Sequence, residues 1–288
     1  MITASLVKEL RETTGVGMME CKSALTETNG DIQAAIKLLR EKSGAKADKK
    51  ASREAKEGII AAQISSCGKS GIIVEINCET DFVAKNDNFQ NFVNEVASTV
   101  LASDATDLAA ALALSKDDIT LDQFIKSKVL EMGENVQFRR FERLSLDGEG
   151  AVASYIHLGG KTGVLIEVAA GNAASASSDS FTDLVKDLTL HIAAAAPAGL
   201  AREDIPAELI EEEKEIFRKQ MEGQNKPADI IEKIVEGKLG KFYSDRCLLE
   251  QGFVKDPDTT IKGLLDAKGK ELGDTFTINK FIRFGLGD

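Results

Sequence analysis

The sequence predicts an α+β protein in which an N-terminal three-helix bundle precedes two related α+β core units with antiparallel sheets. Three observations support this fold class. Apolar residues recur at helical spacing near the N-terminus, a long segment recurs 92 positions later, and two late apolar stripes flank a glycine- and proline-containing turn. We assign residues 1–56 to the bundle with a basic linker, 57–148 to the first core unit and 149–288 to the second, which includes a protruding antiparallel helical hairpin at about 204–243.

The N-terminal residues predict three short helices. The first ends at Thr14-Gly15-Val16-Gly17, because glycine accepts backbone angles that other residues resist. Asn29-Gly30 is the expected C-cap of the second helix, and Asp31 is the expected N-cap of the third. The three apolar stripes are Leu6, Val7 and Leu10, then Met18, Cys21, Ala24 and Leu25, then Ile32, Ala35, Ile36 and Leu39. Helices this short enclose a small core, which suits a docking module.

Residues 44–57 form a predicted linker that mixes basic and acidic residues. We interpret it as a solvated tether or a frayed helix, because mixed charges usually mark a solvated surface. The alternative is that one or two of its lysines contribute to docking. Its basic residues are Lys46, Lys49, Lys50, Arg53 and Lys56.

An internal repeat organises the core. Residues 58–102 align without a gap with residues 150–194, and about a dozen aligned positions are identical. Each copy contains a strand, a glycine-containing turn, a second strand, a loop and a helix, which predicts a β-hairpin covered by a helix. The segments 136–141 and 275–284 are expected to add a last strand to the first and second units.

The loop after the second strand differs between the two copies. The first copy has Thr80-Asp81-Phe82-Val83-Ala84-Lys85, whereas the second has Asn172-Ala173-Ala174-Ser175-Ala176-Ser177. Binding residues usually lie in loops, so this difference favours a contact role for the first copy. From the residues alone two interpretations of Phe82 stay open: contact with a partner, or packing over the core beneath the hairpin.

Two helical stripes with a turn at residues 222–227 predict the antiparallel helical hairpin. The run Glu211-Glu212-Glu213 fits a solvated face. Such a hairpin either projects and pairs with another chain or packs back onto its own sheet, and both alternatives stay open. The stripes are Leu209, Ile210, Ile216, Phe217 and Met221, then Ile230, Ile231, Ile234, Val235, Leu239 and Phe242.

Composition favours a protein partner over a nucleic acid. The net charge is -11 and the sequence pI is about 4.9, whereas binding a phosphate backbone calls for clustered Lys and Arg. No apolar stretch approaches the roughly 20 residues that span a bilayer, and the N-terminus does not resemble a secretory signal. We therefore expect a cytoplasmic protein with no membrane partner and no direct nucleic-acid partner.

The motifs of covalent chemistry and cofactor binding are absent from the sequence. There is no phosphate loop, no dinucleotide-binding glycine motif and no CxxC, so we expect no cofactor and no enzyme activity. The four cysteines are interpreted as reduced and mostly buried. Met18 and Met19 fit a helix core, His157 a structural or surface role, and His191 a structural role.

Two segments resemble the elongation factor Ts family. The first runs from Leu10 to Leu25 and reads LRETTGVGMMECKSAL; the second runs from Glu75 to Lys85 and reads EINCETDFVAK. Shorter matches occur at Met132-Gly133-Glu134-Asn135, Tyr155-Ile156-His157 and Phe281-Ile282-Arg283-Phe284. The resemblance covers nearly the whole chain in the expected order. It implies that the N-terminal helices form a bundle similar to a ubiquitin-associated domain.

The resemblance also implies a function and a set of contact residues. Members of the family bind elongation factor Tu, both GDP-bound and nucleotide-free, and accelerate GDP release without covalent chemistry. By similarity, Asp81 and Phe82 contact the nucleotide-binding domain, where Phe82 disturbs the magnesium-phosphate site. The other positions that resemble family contacts are Thr80, Met18, Met19, Lys22, Lys50, Met132, Gly133 and His157.

Further expectations concern assembly and the C-terminus. The hairpin is expected to mediate a homodimer or a 2:2 complex with the partner. Some family members continue into another C-terminal helical segment, whereas this sequence ends at Gly285-Leu286-Gly287-Asp288. The rival functions are an enzyme that uses a cleft in the two-unit core, an RNA- or ribosome-binding factor that uses the basic linker, and a dimeric adaptor that uses the hairpin.

Overall fold

The N-terminal helices form a compact bundle in the computed structural model, which describes residues 2–221 and 227–288. They are α1 (Ala4–Thr14), α2 (Met18–Glu27) and α3 (Ile32–Lys50). Gly15 ends α1 in the left-handed conformation with φ of 68°, and the Asp31 side chain accepts a hydrogen bond from the Ala34 N–H at the start of α3. Val7, Leu10, Cys21 and Leu25 lie in the bundle core.

The third helix extends through the first half of the predicted linker, residues 44–50. It continues to Lys50, so for residues 44–50 the tether is the wrong alternative and the helix is the correct one. Ser43 and Ala47 are buried on one side of this extension, where α3 packs along a helix of the first core unit. Small residues four positions apart lie on the same helix face and let two helices approach closely. The bundle is thereby joined to the core by a helix.

The first core unit contains a three-stranded antiparallel sheet. Its strand order is β1-β2-β5, and α5 packs on one face around Phe89, Phe92 and Val96. The elements are β1 (Glu57–Ile64), β2 (Ser70–Cys78), α4 (Asp81–Ala84), α5 (Asp87–Leu101), α6 (Leu108–Leu112), β3 (Ser115–Lys116), β4 (Ile119–Thr120), α7 (Leu121–Met132) and β5 (Gln137–Ser145). The predicted hairpin and last strand are confirmed.

The second core unit repeats this plan. Its sheet has the order β10-β7-β6, and α9 packs on it around Phe181, Val185 and Leu188. The elements are β6 (Gly150–His157), β7 (Thr162–Ala170), α8 (Ala173–Ala176), α9 (Asp179–Ala195), α10 (Ala207–Lys219), α11 (Ala228–Arg246), β8 (Gly252–Phe253), β9 (Asp256–Thr260), α12 (Ile261–Leu272) and β10 (Phe276–Gly285). The mixed α+β class predicted from the sequence is confirmed.

The duplication extends beyond the segment that the sequence alignment detects. Helices α7 and α12 both end at a left-handed glycine, Gly133 and Gly273, which are 140 positions apart. The strands that follow carry a bulge at Arg139 and Asn279, with the same separation. Equivalent residues of the two copies are 92 positions apart in the part before α10 and 140 positions apart in the part after α11. The helical hairpin is therefore an insertion in the second copy, and it interrupts the ungapped alignment.

The two copies pack against each other through reciprocal contacts. The Ile60 N–H of β1 donates to the Gly160 carbonyl at 2.8 Å, and the Val152 N–H of β6 donates to the Gly68 carbonyl at 2.8 Å. The β6–β7 turn therefore lies on β1, as the β1–β2 turn lies on β6. This is the pattern of a pseudo-twofold axis. The sheets share the apolar cluster of Ile60, Ile73, Leu144, Leu146, Val152, Leu165, Ile282 and Phe284.

Helices α10 and α11 pack on each other. Val235, Leu239 and Phe242 of α11 form an apolar cluster with Ile205 and Cys247, which flank the hairpin. Apolar side chains of α10 join the same cluster, which is separate from the clusters that cover the sheets. Residues 222–226 of the predicted turn lie outside the described residues. In the described part of the chain, no helix combines the length and apolar character that a membrane span requires.

Candidate functional site

The loop that differs between the copies is a single helical turn, α4, which presents Phe82 to solvent. The Thr80 hydroxyl accepts from the Val83 N–H at 3.3 Å and caps the turn. Ala84 is buried, whereas Phe82, about 200° around the helix axis from it, is 83% exposed. Packing of Phe82 over the core is therefore the wrong alternative.

An ion pair across α4 fixes the acidic side chain beside this aromatic ring. The Lys85 Nζ donates to the Asp81 carboxylate at 2.6 Å. This hydrogen bond holds the pKa of Asp81 below its usual value, and the charge of Lys161 acts in the same direction. Asp81 is therefore a carboxylate at neutral pH, beside the exposed ring of Phe82.

A carboxylate from the end of α7 clamps the start of α4. Glu134 Oε2 accepts from the backbone N–H groups of Glu79 and Thr80, both at 3.0 Å, and Oε1 accepts from the Thr80 hydroxyl at 2.6 Å. Backbone N–H groups at a helix start lack intrahelical partners, and a carboxylate satisfies them well. Glu134 therefore sets the direction of the turn that carries Phe82.

The same α7 terminus connects to the extended third helix. Gly133, in the left-handed conformation with φ of 75°, accepts a hydrogen bond from Lys50 Nζ through its carbonyl. Burial lowers the pKa of Lys50. Met132 is partly buried against the first core, so it contributes little free surface. Lys50, Met132 and Gly133 thus lie together as one support beside α4.

Asn135 completes this support, and its role was not predicted from the sequence. Its backbone N–H donates to Glu79 Oε1 at 2.6 Å, and its side-chain amide donates to the Arg53 carbonyl at 2.7 Å. The side chain is buried. Asn135 and Glu134 lie in the short matching segment after Met132, which was the available signal for both residues.

The methionine pair lies on the surface of the N-terminal bundle. Met18 and Met19 at the start of α2 are 53% and 73% exposed, so their interpretation as core residues is wrong. Cys21, which is buried, takes the inward face of that turn instead. Lys22, the next residue along, is exposed as well. A cleft of about 270 Å³ separates the end of α1 from α4, and Gly15, Val83 and Met132 are among its lining residues.

His157 belongs to the β6–β7 turn, which approaches the same region from the second copy. It is exposed, and its Nδ1 lies 2.9 Å from the Tyr155 hydroxyl. Lys161 at the end of the turn pairs with Glu57, the first residue of β1, whose partner in the register is Cys78 just before α4. The structure therefore brings His157 to the region of Asp81 and Phe82.

The second histidine is structural, as predicted. His191 is buried on α9, with Nε2 3.0 Å from Gln251 Oε1 and Nδ1 accepting from the Val254 N–H at 3.2 Å. Burial lowers its pKa. Within residues 2–221 and 227–288, no group of three or more His, Cys, Asp or Glu side chains is placed to hold a metal ion.

Comparison with known proteins gives concordant matches. Residues 79–288 match the family model described as Elongation factor TS. The chain is 47% identical over its full length to the elongation factor Ts of Trichlorobacter lovleyi, covering 93% of that protein. It is 48% identical to that of Methylococcus capsulatus and 47% identical to that of Clostridium perfringens strain SM101, again over its full length, covering 92% and 94% of those proteins.

These matches identify the class of protein as a translation elongation factor acting in protein biosynthesis. More narrowly, the chain belongs to the elongation factor Ts family.

Proposed function

We propose that this protein binds elongation factor Tu, in the GDP-bound and nucleotide-free states, and promotes GDP release so that GTP can load. The observation that carries the proposal is the exposed Phe82 on a clamped helical turn. An aromatic ring in solvent gains from burial against a partner, by about 1.5–3 kcal/mol for a fully buried Phe. That range corresponds to about 10- to 100-fold in an equilibrium constant.

The mechanism follows from linkage. A factor that binds the nucleotide-free partner more tightly than the nucleotide-bound partner weakens nucleotide binding by the same factor. Phe82 enters the nucleotide-binding domain and displaces groups that hold the magnesium ion and the phosphates. The clamp by Glu134 supports this role, because a wedge that is already fixed loses little entropy on binding. No covalent step and no cofactor of this chain is involved.

The remaining contacts surround this wedge. Asp81 lies next to Phe82 and pairs with Lys85, and Thr80 caps the helical turn. Lys50 binds the Gly133 carbonyl, next to the Glu134 carboxylate that holds the start of the turn. The outer contacts are Met18, Met19 and Lys22 on the bundle and His157 on the second copy. Met132, which is half-buried, adds a smaller contact beside α4. We place the interaction in the cytoplasm, with no direct nucleic-acid contact and no membrane contact.

Release of a fluorescent GDP analogue from elongation factor Tu, followed by stopped flow, tests the function. Wild type is expected to accelerate release strongly, and Phe82→Ala to lower the maximal rate by about 10-fold or more. Val254→Ala, which truncates an exposed apolar side chain between β8 and β9, is the matched control and is expected to act as wild type. No acceleration by folded wild type would contradict the function. Equal acceleration by wild type and Phe82→Ala would contradict the wedge alone.

We also propose that the helical hairpin mediates self-association, as a homodimer or within a 2:2 complex with the partner. Ile216 of α10 and Ile230 of α11 are exposed, and large apolar side chains in solvent favour burial against a second surface. Sedimentation equilibrium over a range of concentrations measures this association with and without elongation factor Tu. A purely monomeric protein and a 1:1 complex across that range would contradict it.

A further inference from the structure

The β6–β7 turn and α4 meet at the same end of β1, although they come from different copies of the repeat. Gly160 in the turn accepts from the Ile60 N–H at 2.8 Å, and Lys161 pairs with Glu57. Glu57 is the register partner of Cys78, which lies just before α4, and the charge of Lys161 adds to the Lys85 hydrogen bond in lowering the pKa of Asp81. The turn is therefore adjacent to the surface that carries the exposed ring of Phe82.

Leu158 at the tip of this turn has two unfavourable properties at once. Its side chain is 71% exposed, and its backbone has a φ of +50°. A leucine gains nothing from solvent exposure, and a left-handed backbone is costly for residues other than Gly, Asn and Asp. Neighbouring Gly159, with φ of +64°, shows the residue type that such a turn favours. Neither folding nor solubility accounts for a leucine at this position.

The pseudo-twofold axis provides an internal comparison for this surface. At the equivalent end of β6, the β1–β2 turn carries Ser66 where Leu158 stands, and α8 carries Ala174 where Phe82 stands. The supporting pairs are kept: Lys69 pairs with Glu149 on that side, as Lys161 does with Glu57. The two surfaces have equivalent ion pairs, but of the two only the surface with Phe82 and Leu158 presents large apolar side chains.

We infer that Leu158 is a second apolar anchor, which docks on the same partner protein as Phe82. The inference rests on the proposed function and names a residue that adds affinity rather than displacing the nucleotide. The occupant is an apolar patch on the nucleotide-binding domain of elongation factor Tu, next to the pocket that takes Phe82. Continuity with the Phe82 surface supports this choice, as does the absence of both anchors from the pseudo-equivalent surface.

Leu158→Asn separates docking from folding, because asparagine enters the left-handed region more readily than leucine. The thermal midpoint is expected to stay unchanged or to rise. The concentration of factor that gives half-maximal acceleration of GDP release is expected to rise about tenfold, since one apolar side chain no longer becomes buried. The maximal rate at saturation stays within about twofold of wild type. This is expected because Leu158 stabilises the complex equally before and during GDP release, so its loss changes the affinity and not the rate of release.

Two further variants complete the test. Leu158→Met keeps an apolar side chain and is expected to retain near-wild-type half-saturation. Ser66→Asn, the matched change on the pseudo-equivalent surface, is expected to leave exchange unchanged. A wild-type half-saturating concentration for Leu158→Asn would overturn this inference alone, as would a lowered thermal midpoint with a matching loss of maximal rate. Failure of wild type to accelerate release would overturn the proposed function and this inference together.

Discussion

Removing the Glu134 carboxylate should disorient Phe82 without touching it. Glu134→Ala deletes the acceptor of three hydrogen bonds, from the Glu79 N–H, the Thr80 N–H and the Thr80 hydroxyl, at 3.0, 3.0 and 2.6 Å. Hydrogen bonds to a charged group contribute about 1.5–3 kcal/mol each when buried. Since these groups are half-buried and water replaces part of the loss, we expect the free energy of unfolding to fall by about 2 kcal/mol.

The functional consequence follows from the fraction of molecules whose α4 keeps its orientation. If that fraction falls to about a tenth, the concentration of factor needed for half-maximal exchange rises about tenfold. The second copy supplies a matched control. Asp274 accepts from the Gly171 N–H at 2.9 Å and from the Asn172 N–H at 3.2 Å, and so clamps α8 as Glu134 clamps α4. Asp274→Ala should lower stability by a similar amount and leave exchange at the wild-type level.

The assay compares both variants with wild type by stopped-flow GDP release at a temperature where circular dichroism shows all three to be folded. Urea unfolding of the same samples supplies the stability change. The reasoning is refuted if Glu134→Ala loses stability and keeps wild-type half-saturation. It is refuted equally if Asp274→Ala impairs exchange as much as Glu134→Ala does, because the effect would then be general destabilisation.

Two other predictions concern stability and assembly. His191 is held neutral by burial, with a pKa below its usual 6.5, and its Nδ1 accepts from the Val254 N–H. Below pH 6.5 the unfolded chain therefore binds a proton that the folded chain does not, so the urea midpoint of unfolding should fall as the pH falls from 7 to 5. His191→Asn should lose this contribution to the pH dependence. An equal pH dependence of the urea midpoint in wild type and His191→Asn would contradict the prediction. Replacing Ile216 and Ile230 by Glu should abolish self-association in sedimentation without lowering the thermal midpoint, whereas persistent dimers would exclude these side chains from the contact.

The repeat could be predicted from the sequence because its turn glycines and its apolar pattern are kept in both copies. The Gly68-Lys69 and Gly160-Lys161 turns alone mark the two hairpins. The full extent of the duplication could not be predicted, because the inserted hairpin changes the offset before α12 and β10. The continuation of α3 was missed for a different reason. Its charged surface resembles a tether, and the two small residues that are buried there, Ser43 and Ala47, give no apolar stripe.

The candidate site was predicted in part, from residues that differ between the copies. Phe82 stands where the second copy has Ala174, and this difference needs no structure to detect. Its supporting residue could not be inferred in the same way, because Glu134 lies 54 positions from Thr80 and contacts it only in the folded chain. The error over Met18 and Met19 arose because spacing identifies a helix but does not decide which of its faces is covered.

The pseudo-equivalent surfaces separate what folding requires from what function adds. Both surfaces keep a clamp on the single-turn helix, through Glu134 on one side and Asp274 on the other. Groups retained on both surfaces are explained by folding alone, since among the described residues the second surface carries no exposed aromatic side chain. Phe82 and Leu158 are largely exposed and are present on one surface only. A duplicated scaffold thus contains its own control, and the features unique to one copy are those that a binding partner has to explain.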